Sequence, residues 1–388
     1  MVHRIGLLGF GCVGGGVWDI LNHEADRIAE ICGDRVEIAR IGVRDLGRPR
    51  SAPQELFSDD CLSICTDPSL AAVIEVTGGV EPTWSWLEAA IRAGKPVVTA
   101  NKELLAKRWE ELMSLGGKVR FEAAVCAGVP VIQTLREALA TDSVESILGV
   151  MNGTTNYILT RMEREGLGFD EILADAQRLG YAEADPTSDV DGWDAAYKLR
   201  ILSRLAGDCA SGAWQCNGIR SIQLEDLEAA RALGYRIKLL AQWPPARVEP
   251  TLIPLDHPLA ALEGTENGVS FVAKNAGRLT ITGRGAGAHP TAAGVVADLV
   301  CLLRGEHRDL PLRSGEVGAG EHGQDFWFLR TEPGLWPQAE TFCREAGVSI
   351  VRAVPELGAG ILVGCERSRL EQCPGAKQVL AVRNEKHD

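Results

Sequence analysis

An α/β chain built on a doubly wound parallel sheet is the fold class this sequence predicts, and three observations predict it. Residues 4–21, RIGLLGFGCVGGGVWDIL, pass from a short apolar strand through a glycine-rich turn into helical periodicity. Apolar runs that end in polar or glycine residues recur at VEIARIGVRD, AAVIEVTGGVEP and GKPVVTANKELL, and the last two lead into helical sequence. Alternation of this kind builds a parallel sheet with crossover helices. The third observation is size. With 388 residues, 45% hydrophobic and 24% charged, the chain has material for two or three domains.

Charge and composition exclude several classes. The formal net charge is -13 and no long basic run is present, which argues against nucleic acid or an anionic membrane as the main partner. The longest apolar stretches are strand-sized, too short to span a bilayer. The N-terminus enters a strand directly, without the apolar region and small-residue site of a cleavable signal. Eleven cysteines lie scattered with no CxxC pair, as expected of reduced thiols in a cytoplasmic protein.

In the first element Gly9, Gly11 and Gly14 fit G-x-G-x-x-G. The first glycine permits the tight turn, the second lets backbone approach a pyrophosphate, and the third allows close helix–strand packing. The helix N-terminus adds orphan N–H groups and a positive dipole end. The expected cofactor segment is therefore Gly9, Phe10, Gly11, Cys12, Val13 and Gly14, with NAD or NADP as its ligand; the alternative is a glycine-rich turn that binds nothing. At the end of the second strand Arg44 precedes Asp45. A guanidinium there can pair with a 2′-phosphate, which favours NADP; it can equally be a solvated loop arginine. Ligands bind beyond the carboxyl ends of such strands. Thr77, Gly78, Asn101 and Lys102 stand at those ends.

Two later stretches break the α/β rhythm. SILGVMNGTTNYILTRM runs from an apolar strand into Asn152, Gly153, Thr154, Thr155 and Asn156, then into a helix. Its hydroxyls and amides suit a small polar ligand or an unusually rich helix cap. LGYAEADPTSDVDGWDAAYKLRIL holds Glu183, Asp185, Asp189, Asp191 and Asp194, followed by Lys198. Asp194 and Lys198 are four apart and share a helix face. On a solvated face the pair is worth a few tenths of a kcal/mol. At a cleft it orients a lysine and tunes its proton affinity for acid/base work.

These residues resemble the homoserine dehydrogenase family. GFGCVG, VVTANK, FEAAVCAGVP, NGTTNYIL, LGYAEADPTSDVDGWDAAYKL and GRGAGAHPTAAGVVADL carry the resemblance, in the family's order, over about residues 4–305. It implies NAD(P)-dependent interconversion of L-aspartate 4-semialdehyde and L-homoserine in threonine and methionine biosynthesis, by a homodimer or homotetramer. It implies that Lys198 is the acid/base at the carbonyl oxygen and Lys102 a second active-site lysine. Asp194 would orient the substrate hydroxyl or Lys198. Glu183 would bind the substrate amino group, helped by Gly153, Thr154, Tyr181 and Asp189, and Gly287 would lie near the nicotinamide end of the cofactor. His289, two residues on, reads as a loop or surface histidine. The family also binds a monovalent cation, usually sodium. By position its main-chain ligands would be Glu122, Val125, Ala127 and Val129. Cys126 stands where the family generally has glycine, and a positive φ there would strain it. Other readings are a different Rossmann oxidoreductase on a small amino-acid substrate, or a nucleotide-binding regulator without catalysis. The retained Lys102, Asp194 and Lys198 speak against the regulator.

The expected domains are a Rossmann dinucleotide-binding domain at 1–130 and 284–322, an α+β substrate-binding and dimerisation domain at 131–283, and a tail at 323–388. LPLRSGEVGAGEHG reads as a linker. The tail follows β-α-β-β-α-β order, a ferredoxin-like arrangement. It resembles the ACT module, which often binds amino acids, so L-threonine is a candidate effector. The tail lacks the acid usual in the ligand loop, with Arg330 near that place, so a purely structural tail is the other reading.

Overall fold

Two units organise the chain in a computed structural model that describes residues 2–208, 215–306 and 325–383. The first takes in Met1–Asp142, Arg200–Cys209 and Gly283–Gly315; the second takes in Ser143–Leu199, Ala210–Thr282 and Glu316–Asp388.

In the first unit β1 (Val2–Leu8), β2 (Arg35–Gly42), β3 (Phe57–Ser58), β4 (Ala72–Glu75), β5 (Val97–Thr99) and β6 (Val119–Arg120) form one sheet in the order β3-β2-β1-β4-β5-β6. Every pairing is parallel. This is the Rossmann order, with the reversal of direction between β1 and β4 that places ligands at the strands' carboxyl ends. Strands covered on both faces must be apolar throughout; Ile5, Leu7, Leu8, Val73, Ile74, Val97 and Val98 are all fully buried. The helix Cys12–His23 packs one face on this sheet through Val17 and Leu21. The returning helix Ala288–Leu303 completes the same core with Val295 and Leu299. The two helices approach closely at Gly16, where a Cβ would lie 3.0 Å from the Ala288 carbonyl oxygen.

The second unit is one mixed sheet. Its strands are β7 (Val144–Val150), β8 (Gln215–Cys216), β9 (Tyr235–Trp243), β10 (Arg247–Pro254), β11 (Glu266–Ala273), β12 (Gly277–Arg284), β13 (Phe326–Thr331), β14 (Ser349–Val354), β15 (Ala359–Val363) and β16 (Ala376–Val382). The order is β12-β11-β7-β9-β10-β16-β13-β15-β14, with β8 beside β10. The tail strands β16-β13-β15-β14 pair antiparallel, and the helices Trp336–Ala346 and Arg367–Leu370 fall between them in sequence. That is the split β-α-β arrangement expected from the sequence. The tail has its own core around Trp327, Leu329, Trp336 and Leu362.

The tail also extends the larger sheet, because β16 pairs parallel with β10 at Thr251–Ala381 and Leu252–Val382. Two ion pairs reinforce this join. Arg330 Nε donates to the fully buried Asp226 at 2.5 Å, and Arg367 donates to the buried Glu249 at 3.1 Å. Arg330 is thus occupied structurally in the place where a ligand loop would carry an acid. The expected linker at 310–323 lies outside the described residues. Among the described residues no helix is long and apolar enough to cross a membrane.

One buried charge in this unit makes stability pH-dependent. Lys238, on β9, is 1% exposed, and burial together with the Arg236 guanidinium pulls its pKa down from 10.5 to about 7. Between those values the unfolded chain holds a proton that the folded chain lacks, so stability rises as pH is raised through that window. Urea midpoints should increase between pH 7.5 and 9.5, and should increase less in Lys238→Met.

Candidate functional site

The glycine turn has the shape a dinucleotide needs. Gly9 sits at φ 96°, and a Cβ there would meet the Val76 carbonyl at 2.9 Å. A Cβ on Gly14 would lie 2.2 Å from the Gly9 carbonyl oxygen, so only glycine closes this turn. At Gly11, the N-cap of the following helix, a Cβ would meet nothing within 4 Å. The backbone therefore faces open space where the first-turn N–H groups lack helical partners. Phe10, Cys12 and Val13 fill the turn between these glycines; Cys12 is exposed, and Val13 is partly buried against the core.

Glu75 organises the neighbouring loop. Fully buried at the end of β4, its Oε1 accepts from the Thr77 N–H and hydroxyl, each at 2.7 Å, and from the Gly78 N–H at 3.3 Å. Its Oε2 accepts from Thr99 Oγ1 at 2.5 Å. Thr99 in turn receives the Asn101 N–H, and Asn101 Nδ2 donates to the Gly79 carbonyl at 2.6 Å. One buried carboxylate thus fixes Thr77, Gly78 and Asn101 beside the Gly9 turn. Sequence reading missed Glu75. The available signal was an acid inside the apolar run AAVIEV.

Asn101 caps the helix Lys102–Lys107 through the Leu104 N–H, which places Lys102 at the helix start and partly buried. Arg44 is exposed two residues beyond β2, whereas the Asp45 carboxylate is engaged by the Gly47 N–H in a local turn. Gly287, at φ 118°, caps the returning helix, and His289 on its first turn is exposed.

The second unit holds the acid/base candidates. Lys198 and Asp194 are 7% and 3% exposed. Lys198 Nζ donates to Asp194 Oδ2 at 2.7 Å and to the Met151 carbonyl at 2.6 Å. An ammonium has three N–H donors, so one is left for a bound oxygen. Asn152 ties the two motifs together. Its Oδ1 caps the helix Gly153–Glu165 by accepting from the Thr155 N–H, while its Nδ2 donates to Asp194 Oδ2 at 2.9 Å and Asp189 Oδ1 at 2.7 Å. Thr154 Oγ1 donates to the Tyr181 carbonyl at 2.7 Å and approaches Asp189 Oδ2 at 3.2 Å.

The five carboxylates therefore part company. Asp189 and Asp194 join the lysine network; Asp185 accepts from the Thr187 N–H in a turn; Asp191 pairs with Arg220 at 2.6 Å. Glu183 is exposed near Tyr181, whose ring, 47% exposed, lies 4.9 Å from that of Tyr157. The part taken by the Met151 carbonyl has no side-chain signal in the sequence.

Residues 122–129 form a buried, unusual turn. Cys126 and Ala127 both adopt φ 57°, so the cysteine does stand at a left-handed position. Each such residue costs on the order of 1–2 kcal/mol. Tight packing holds them there: a Cβ on Gly294 would lie 2.8 Å from the Ala127 carbonyl, and one on Gly128 2.7 Å from the Pro290 carbonyl. Val125 and Val129 are buried beside them. The Glu122 carboxylate accepts from the Ile132 and Gln133 N–H groups, and the Glu122 N–H donates to Asp298 Oδ2 at 2.6 Å. Burial and the Asp298 charge push the Glu122 carboxyl up to about 8.

Comparison with known proteins gives the family. The family model described as homoserine dehydrogenase matches residues 130–300, and that described as homoserine dehydrogenase, NAD binding domain, matches residues 9–125. A homoserine dehydrogenase of Synechocystis sp. is 43% identical over 321 residues, covering 78% of this chain and 74% of that protein. A crystal structure of a homoserine dehydrogenase from Thiobacillus denitrificans superposes with a TM-score of 0.87 at 33% identity, covering 99% of both chains. A hyperthermophilic archaeal homoserine dehydrogenase in complex with NADPH gives a TM-score of 0.69 at 27% identity, covering 80% of this chain and 100% of that one. With a glycine turn shaped for a dinucleotide and a buried aspartate–lysine pair, the chain belongs to the homoserine dehydrogenase family and is an NAD(P)-dependent oxidoreductase.

Proposed function

We propose that Lys198 is the acid/base of the interconversion of L-homoserine and L-aspartate 4-semialdehyde. The observation that carries this is the placement of Nζ between the Met151 carbonyl and Asp194, with one donor to spare. In reduction Lys198, as the ammonium, gives its third proton to the carbonyl oxygen; in oxidation the neutral amine, still donating to Met151 and Asp194, takes the hydroxyl proton on its lone pair. Asp194 holds Lys198 in place, and Asn152 holds Asp194. Asp189, Thr154, Gly153 and Tyr181 form the neighbouring polar surface, and the exposed Glu183 is the carboxylate for the substrate ammonium. Lys102 is read as a second active-site lysine from the family resemblance. The nicotinamide, when bound, supplies or accepts the hydride, which no side chain can do.

The dinucleotide is held by Gly9, Phe10, Gly11, Cys12, Val13 and Gly14, with Thr77, Gly78, Asn101, Lys102 and Gly287 along its path. NADP is the preferred form: Arg44 is exposed at the end of β2, and Asp45 is spent on its own turn. Homoserine-dependent reduction of NADP+ and NAD+ tests both readings. Arg44→Ala should raise the NADP+ KM about tenfold and leave the NAD+ KM unchanged. Equal effects on the two cofactors would assign Arg44 to the solvated surface.

Sodium bound by main-chain oxygens of Glu122, Val125, Ala127 and Val129 is the reading of the left-handed turn. Such a cation accepts backbone carbonyls whatever the side chains, and the strain at Cys126 and Ala127 turns the backbone away from its ordinary course. The working enzyme is read as a cytoplasmic homodimer or homotetramer. The tail is read as an ACT-like module with a structural part, supported by the Arg330–Asp226 pair. Inhibition by millimolar L-threonine would instead make it an effector site.

A further inference from the structure

Lys238 takes no part in the chemistry described above, yet it is among the largest fully buried side chains of the molecule. Its Nζ donates to Asn156 Oδ1 at 2.7 Å and to the Leu262 carbonyl at 2.5 Å. Asn156, 1% exposed, passes the connection on. Its Nδ2 donates to the Gly264 carbonyl at 3.1 Å and the Glu266 carbonyl at 3.2 Å. Segment 262–266 is thereby drawn against the first turn of the helix Gly153–Glu165. Gly153 confirms how close that contact is, since a Cβ there would lie 3.0 Å from the Thr265 carbonyl. The same helical turn carries Asn152, which holds both Asp189 and Asp194.

We infer that Lys238 is a positioning residue for catalysis: through Asn156 it clamps segment 262–266 under the helix N-terminus, and so fixes Asn152, Asp194 and Lys198. The inference rests on the assignment of Lys198 and Asp194 as the acid/base pair. The chain of contacts is continuous: Lys238, Asn156, the helix turn, Asn152, Asp194, Lys198. Every link is a bond of a buried group, so none can be exchanged for water without opening the unit.

The clamp does not need a charged amine. A neutral lysine has two N–H bonds, and two carbonyl-type oxygens receive them. The charged groups around it are Arg236 on β9, Glu163 on the helix, Glu263 on the preceding segment and Glu266 on β11. Arg236 and Glu163 pair with each other at 2.9 Å. Methionine would keep most of the aliphatic stem and remove both donors.

The test is steady-state kinetics on the full chain, varying homoserine and dinucleotide separately. Lys238→Met is expected to lower kcat about tenfold, raise the homoserine KM and shift the pH limb of kcat, because small displacements of a reacting group are costly. The dinucleotide KM should not move. An unshifted pH limb with an unchanged homoserine KM would overturn the inference, since a merely structural lysine only reduces the amount of folded protein. Asn156→Asp covers the case in which Lys238→Met does not fold. It keeps an acceptor for Lys238 but loses the donors to Gly264 and Glu266, and must show the same split. Lys198→Ala, run in parallel, separates the two failures. If it is inactive while both clamp variants behave as wild type, only the clamp falls. If it keeps full activity, the acid/base assignment and the clamp fall together.

Discussion

Lys198→Ala should lower kcat for homoserine oxidation by about 10²–10⁴-fold, the contribution typical of a positioned acid/base. The Met151 carbonyl cannot accept the proton at neutral pH, and the Asp194 carboxylate, which still accepts from Asn152 Nδ2, has no proton to return in reduction. The substitution also leaves Asp194, 3% exposed, without its cation. Breaking a buried ion pair from one side costs about 3–5 kcal/mol, so the melting temperature should fall as well. Activity and folding must therefore be read on the same sample, with circular dichroism beside the kinetics. Retention of more than a tenth of the wild-type kcat in folded Lys198→Ala would remove Lys198 from the chemistry.

Gly11→Ala and Gly14→Ala should both weaken dinucleotide binding, for different reasons. At Gly11 the backbone is extended, with φ -87°, and a Cβ meets nothing within 4 Å. Alanine fits the empty fold, so stability should change by no more than about 0.5 kcal/mol. The new methyl group instead occupies the approach of the pyrophosphate, and NADPH affinity should fall by about tenfold or more. At Gly14 the Cβ would sit 2.2 Å from the Gly9 carbonyl oxygen, so the turn itself must open. That variant should lose about 1–3 kcal/mol of stability along with the cofactor. Fluorescence titration with NADPH and urea unfolding distinguish the two. Wild-type NADPH affinity in Gly11→Ala would mean that the cofactor does not pass that glycine.

The linkage at Lys238 and the clamp built on it concern the same side chain but different observables. The first is an equilibrium effect on folding between about pH 7 and 10.5. The second is a kinetic effect seen at any pH where the enzyme is folded. Stability that rises with pH together with unchanged kinetics in Lys238→Met would leave the buried lysine as a packing feature.

Periodicity and glycine spacing make the first sheet readable in the sequence. A parallel strand is apolar along its length and ends abruptly where the sheet ends, so VVT followed by ANK marks both an element and its carboxyl edge. The helix carrying Asp194 and Lys198 was readable for the same local reason, an i,i+4 spacing. The tail's six elements followed from short apolar runs separated by helical sequence.

What the sequence determined by itself was therefore everything encoded locally: the glycine turn, the strand–helix order, the family motifs and the i,i+4 spacing of Asp194 and Lys198. What the tertiary structure alone decided was which polar groups meet. It turned Asp189 and Asp194 into the lysine network and left Asp191 to Arg220. It gave Arg330 a structural partner in Asp226, set Cys126 in a left-handed conformation, and buried Glu75 and Lys238 as braces. The physical reason is that a buried polar group must find its partner wherever packing places one. Those partners lie far apart along the chain, where no periodicity records them.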